Sequence, residues 1–191
     1  MIERKTPMAF SYISEGSYSG SLFDILKAKW IFTKPKKKKV LIYDRHSEPY
    51  SRYLFKKKDC ETLDVRYESL NIHVLLLILK SLKFKKITEN YKKKYIELVS
   101  PKIVYTAIDN NPAFYKLKEI IKNPIYITDQ NGMSKTEDSY NQEAFFGNLR
   151  KHKKITNQMP KVDHMFLFGK NDKARMSKVI EGKIHLLGNT K

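Results

Sequence analysis

Cysteine is nearly absent. The chain has a single one, Cys60, so no disulfide can close within it, and an oxidising compartment has no support. Glycine-rich phosphate loops are missing as well. Neither GxGxxG nor GxxxxGK[ST] occurs, so an ordinary NAD site or P-loop is unsupported and no cofactor is expected. The five histidines (His46, His73, His152, His164 and His185) are scattered without HxxxH or CxxC spacing, so no metal site is expected. The longest apolar run, Val74 to Leu79, is six residues, against the roughly 20 needed to span a bilayer. The first residues lack a continuous apolar core and carry Glu3 and Glu15, so a cleavable signal peptide is not expected. These absences point to a cytoplasmic protein, with peripheral contact on the inner face of the membrane left open.

Arginine is scarce too, and this shapes the reading of the charge. The formal net charge is +18, which first suggests nucleic acid. Lysine supplies nearly all of it, and Ile, Asn and Tyr are also abundant, a bias that an AT-rich coding sequence produces by itself. The better reader of bases and phosphates is scarce, and no nucleic-acid motif appears. No specific nucleic-acid binding is expected.

What is present is enough apolar residue, 41%, for a packed core in a chain of 191 residues. Residues 1–36 read as an irregular arm, broken by Gly16, Gly20 and several serines, followed by a short amphipathic helix from Leu22 to Phe32. Leu22, Leu26 and Trp30 fall on one stripe of that helix, and Lys36, Lys37, Lys38 and Lys39 follow Pro35. Two readings stay open for this segment. It lies on anionic lipid through Trp30 and the four lysines, or it packs on the domain's flank beside a solvated charge run.

Residues 37–191 alternate strand and helix. The strands expected are VLIY at 40–43, TLDVRY at 62–67, Ile103 to Ile108, Ile125 to Thr128, MFLF at 165–168 and KIHLL at 183–187. Helices are expected over Tyr50 to Lys57, from an Asn71 cap to Leu82, over Tyr91 to Val99, and from Pro112 to Ile121. The Asn71 helix is apolar nearly all round and is expected to be buried. Short helices are expected at Glu143 to Leu149 and from an Asn171 cap to Val179. The alternation predicts an α/β fold: a single Rossmann-like, doubly wound, mostly parallel sheet of about six strands with flanking helices in three layers.

In such a sheet, ligands bind beyond the carboxyl ends of the strands. Four of these ends carry polar clusters: Asp44 to Glu48, Asp109 to Asn111, Asp129 to Gly132, and Phe168 to Lys170. Asp and Asn at loop starts are commonly turn and cap residues. Four clusters on one sheet edge is a stronger signal than any one of them.

The order of these motifs carries a resemblance. KKKKVLIYD with DRHSE, then SPKIVYTAIDNNPAFYKLK, IYITDQNG, VDHMFLFGK and KIHLLGN resembles a family of bacterial surface-carbohydrate biosynthesis proteins. That family is similar to the GT-B glycosyltransferases, the Kdo transferases and the teichoic-acid polymerases. The resemblance covers residue 22 onward. It implies an amino-terminal, acceptor-side domain, with a catalytic base on the loop after an early strand and the sugar nucleotide held by a second domain. Carried over, Asp44, His46 and Glu48 match the first-strand loop; Glu48 is the expected base, with Asp44 and His46 as rivals. Asp109, Asn110, Asn111, Gln130, Asn131, Gly132 and Gly169 are the candidate substrate-binding residues. The chain stops where the family passes into its second domain, so the resemblance implies a half that is inactive alone. Its implied partners are a sugar acceptor, lipid-linked in some relatives, and a sugar nucleotide. The other reading is a non-catalytic α/β binding module that holds a partner or an anionic membrane.

Overall fold

The structure is a computed structural model that describes residues 28–66, 69–81, 87–109, 111–130 and 140–187. In chain order it runs β1 (Lys29–Ile31), β2 (Val40–Tyr43), a 3-10 turn (Arg45–Ser47), α1 (Glu48–Leu54), a second 3-10 turn (Lys57–Asp59), β3 (Cys60–Leu63) and β4 (Ser69–Asn71). Then follow α2 (Ile72–Lys80), α3 (Ile87–Val99), β5 (Ile103–Thr106), α4 (Pro112–Ile120), β6 (Ile125–Asp129) and α5 (Tyr140–Thr156). The chain closes with β7 (Lys161–Leu167), α6 (Lys170–Met176) and β8 (Glu181–Leu186).

Six strands form one sheet in the order β3-β2-β5-β6-β7-β8, and every neighbouring pair is parallel. The fold is α/β and Rossmann-like. The strand containing Val40 lies beside the strand containing Val104, with Leu41 opposite Val104 in register. The order reverses between β2 and β5, which makes that gap the topological switch point. A separate parallel pair, β1 with β4, is set in register by Trp30 opposite Leu70.

The period of two in β2 divides the core. Leu41 and Tyr43 enter the larger apolar cluster, and Val40 and Ile42 enter the smaller. The larger cluster takes side chains from α2, α3, α4, α5 and α6. At its centre Phe114 meets Tyr43, Tyr115 and Tyr126 edge-on, at ring-centroid distances of 5.3, 5.6 and 5.6 Å. On the smaller side Phe55, just after α1, packs on Tyr105. Handedness explains this imbalance. Only the β2-to-β3 connection moves toward one edge; the later ones all move toward the other. Right-handed crossovers therefore send α1 to one face and the remaining helices to the opposite face. Three layers are complete only near β2 and β3. Beyond them Ile127, His164, Phe166 and His185 are only half-buried.

Several expectations shift. The described part of the expected Leu22 to Phe32 helix is strand β1, because β4 supplies a backbone partner; residues 22–27 lie outside the described residues. Trp30 is half-buried against the larger cluster. The expected TLDVRY strand ends at Leu63, and Asp64 turns out of the sheet. Helix α2 is not buried all round: Val74 and Ile78 are, while Leu76, Leu77 and Leu79 are exposed. Helix α5 runs through 17 residues, well past the short segment expected. Helix α6 is capped at Gly169, which places Asn171 inside it. The Asn111 cap of α4 is as expected, with its side-chain oxygen accepting the Ala113 amide at 3.0 Å.

Candidate functional site

Parallel pairing brings the polar strand ends to one edge, in the spatial order Asp64, Asp44, Asp109, Gln130, Gly169. The site is built outward from Asp44, the residue after β2. It is buried and has φ 77°, a conformation uncommon for a non-glycine residue. Its surroundings determine this geometry several times over. Its amide donates to the Leu63 carbonyl at 3.0 Å, and its own carbonyl accepts the Ser47 amide at 2.9 Å. One carboxylate oxygen accepts the His46 amide at 3.0 Å, and the other accepts Arg66 Nε at 2.9 Å. Strain held this firmly is characteristic of functional sites.

The same Asp44 oxygen lies 3.1 Å from His46 Nδ1. A carboxylate only accepts, so Nδ1 carries a hydrogen, and in the neutral ring Nε2 is the nitrogen with the lone pair. The His46 side chain is 51% exposed, so Nε2 is within reach of a ligand. Beside this pair sits a second buried carboxylate, Asp64. It accepts the Arg66 amide at 3.2 Å and Ser69 Oγ at 3.1 Å, with Arg45 Nε at 3.9 Å. Two of the chain's six arginines therefore meet two aspartates at one sheet edge.

Ser47 ties the two sides of the switch point together. Its hydroxyl accepts the Ala107 amide at 2.9 Å, lies 3.2 Å from Thr106 Oγ1, and reaches the Tyr43 carbonyl at 3.3 Å. This fixes the loop after β2 against the end of β5.

A cavity of about 240 Å³ opens next to the carboxylates, lined by Arg45, Glu61, Thr62, Asp64, Asn71 and Tyr95 among others. Tyr95 donates to Glu61 Oε1 at 3.3 Å and to the Thr62 carbonyl at 3.0 Å. Burial pushes the Glu61 carboxyl above its usual range, and the Tyr95 hydroxyl, Lys38 and Lys36 pull it partly back. Burial also raises the Tyr95 hydroxyl well above its ordinary value, as does the neighbouring Glu61 charge. Carboxylates, hydroxyls and amides on one wall suit a ligand rich in hydroxyl groups.

The remaining candidates are placed as follows. Glu48 Oε1 accepts Thr62 Oγ1 at 2.6 Å and so fastens α1 to β3. The Asp109 carbonyl accepts the Tyr115 hydroxyl at 2.6 Å. Gln130 is buried, and its Oε1 accepts the Phe168 amide at 2.8 Å, bracing the end of β7. Gly169 caps α6, and among the described residues a Cβ there would meet only Asp172 Oδ2 at 3.9 Å, so none of them demands its small size. Asn110, Asn131 and Gly132 lie outside the described residues. Of the basic run, Lys36, Lys37 and Lys39 are exposed, while Lys38 is half-buried with its ammonium on the Lys58 carbonyl.

Asp64, Arg66 and Thr106 are not candidates from the sequence, and Ser47 stands only within the Asp44 to Glu48 cluster; Ser47, Arg66 and Thr106 act through partners distant in the chain. The scarcity of arginine is the one signal that could have drawn attention to Arg45 and Arg66. Among the described residues, no group of three or more His, Cys, Asp or Glu side chains is placed to hold a metal ion. In comparisons with known proteins, no family model matches the chain, no curated protein matches it, and no solved structure matches it.

Proposed function

We propose that this chain is the acceptor-side domain of a glycosyltransferase-like protein of bacterial surface polysaccharide assembly. The observation that carries the reading is the Asp44–His46 pair at the switch-point edge; neither residue lines the cavity of hydroxyl-binding groups, but Arg45, next in the chain, and Asp64, the neighbouring strand end, do. His46 serves as the base. Its Nε2 takes the proton of an acceptor hydroxyl as that oxygen bonds to the anomeric carbon of a donor sugar and the nucleotide departs. Asp44 holds the imidazole tautomer and offsets the charge that the ring gains, a role that needs a carboxylate fixed as this one is by Arg66. Glu48 is the weaker base candidate, since Thr62 occupies it. The cavity is smaller than the ~300–1,000 Å³ of drug-sized pockets, which fits one terminal sugar ring. The sugar nucleotide belongs to a separate domain in this reading.

A second reading, a non-catalytic binding module, is favoured by one observation. Glu48, Asn111 and Gln130 each give side-chain oxygens to the fold itself. Calorimetry against free oligosaccharides and against UDP-, GDP-, CMP- and CDP-linked sugars tests the proposal. Saccharide binding weakened by Glu61→Gln but unchanged by His46→Gln is the expected result. A chain that binds no saccharide overturns the acceptor role. A micromolar complex with a sugar nucleotide, abolished by Asn110→Ala or Gln130→Ala, replaces it with a nucleotide site.

A further inference from the structure

Helix α2 has the sequence IHVLLLILK, and only Val74 and Ile78 are buried in it. A helix this apolar is ordinarily covered on all sides. Here Leu76, Leu77 and Leu79 are 46%, 36% and 47% exposed. His73, Leu76, Leu77 and Lys80 form one outward stripe at helical spacing.

A second apolar group joins this stripe. Ile31 and Thr33 line the cavity, and Phe32 between them does not. Phe32 is 70% exposed. Its carbonyl meets His73 Nε2 at 2.6 Å, and the Thr33 carbonyl accepts Asn71 Nδ2 at 2.8 Å. The phenylalanine is thereby tied to the first turn of α2. The chain then continues through exposed Lys34, Lys36, Lys37 and Lys39, and Lys80 is exposed at the far end of the helix. Neither residues 28–43 nor residues 71–81 include an acidic side chain.

Glu61, near Lys36 and Lys38, is the nearby carboxylate. An apolar patch with Lys80 on its own helix and exposed lysines in the chain leaving Phe32, with no acidic residue in either segment, is complementary to one kind of surface. We infer that the outer face of α2, with Phe32 and the lysines after it, docks on an anionic lipid membrane. The leucines and the phenylalanine enter the interface while the lysines meet the headgroups. Two copies of the chain would bring lysines against lysines, so self-association is disfavoured at this face. The membrane contact moves away from Trp30, which packs on the core, and onto α2. It does not depend on the sugar chemistry.

Vesicle flotation tests the inference with the full chain, using phosphatidylcholine vesicles with and without phosphatidylglycerol at physiological salt. Binding is expected only to the anionic vesicles. Replacing Leu76 and Leu79 together with serine, on a face that is already exposed, should weaken it at least tenfold. Changing Lys36 and Lys37 together to glutamine should weaken it about 25-fold, since each lysine near an anionic surface counts for about fivefold. Tyr53→Ser, at an exposed site on α1, should change nothing. No binding to anionic vesicles overturns the inference. So does binding that the leucine changes leave intact, which would reduce it to diffuse lysine attraction. Light scattering that shows a dimer dissociated by the leucine changes would make the face a self-interface and also overturn it.

Discussion

Ser47 joins two strand ends that are sixty residues apart: its hydroxyl accepts the Ala107 amide at 2.9 Å. Both groups are buried, so the hydroxyl has no water to replace it. Ser47→Ala leaves the Ala107 amide unsatisfied, and about 1–3 kcal/mol of stability should be lost. Urea unfolding measures this. A loss well under that range would show that the loop re-forms the contact another way.

Asp44 and His46 should separate cleanly by substitution. Asn tolerates positive φ, so Asp44→Asn keeps the backbone while removing the charge that Arg66 and His46 share. A loss of about 1–3 kcal/mol is expected. His46→Gln alters an exposed side chain and should stay within about 0.5 kcal/mol of the parent. Equal losses from the two would mean that the imidazole has a structural role and argue against an available base.

Gly182 and Gly169 make a second contrasting pair. A Cβ on Gly182 would come within 2.2 Å of the Val162 carbonyl oxygen, at the irregular register between β7 and β8. Gly182→Ala must push backbone apart and should cost about 1–3 kcal/mol or more. Gly169→Ala has room, with its nearest neighbour at 3.9 Å, and should cost under about 1 kcal/mol, through its cap position alone. Thermal melts of the two variants decide it. The inverse order would mean that β8 is not packed against β7 as described.

Asp129 should make stability depend on pH. Burial raises its carboxyl above the usual carboxylate range, and the Tyr105 hydroxyl, donating at 2.7 Å, offsets part of this. A raised folded-state value means that the folded chain holds the proton more tightly than the unfolded one. The associated stability is present below the unfolded value and lost as pH rises through the folded one. Asp129→Asn keeps an acceptor for Tyr105 and removes the charge. It should be the more stable protein at neutral pH, with the advantage shrinking toward the acid end of the carboxylate range. Urea unfolding at a series of pH values measures the gap, and a gap that does not change with pH refutes this account.

The sequence by itself determined the order of elements and the side of the sheet on which the polar loops gather. VLIY, IVYT and IYIT are short, β-rich and apolar on both faces, and Asn71 and Asn111 sit where caps belong. Those signals are local, carried within a few residues, and parallel topology then places the loops on one edge. Tertiary structure alone decided the rest. Lys29 to Ile31 became a strand because Ser69 to Asn71 offered it a partner. The apolar helix α2 stayed half-exposed because right-handed crossovers and its packing on α3 give it one neighbouring face. Asp44 holds His46 within one local loop, but it became a fully partnered anchor only when Arg66 arrived from another strand end. Which polar residue is consumed by the fold and which is left for a ligand depends on contacts between distant segments, and no local pattern encodes those.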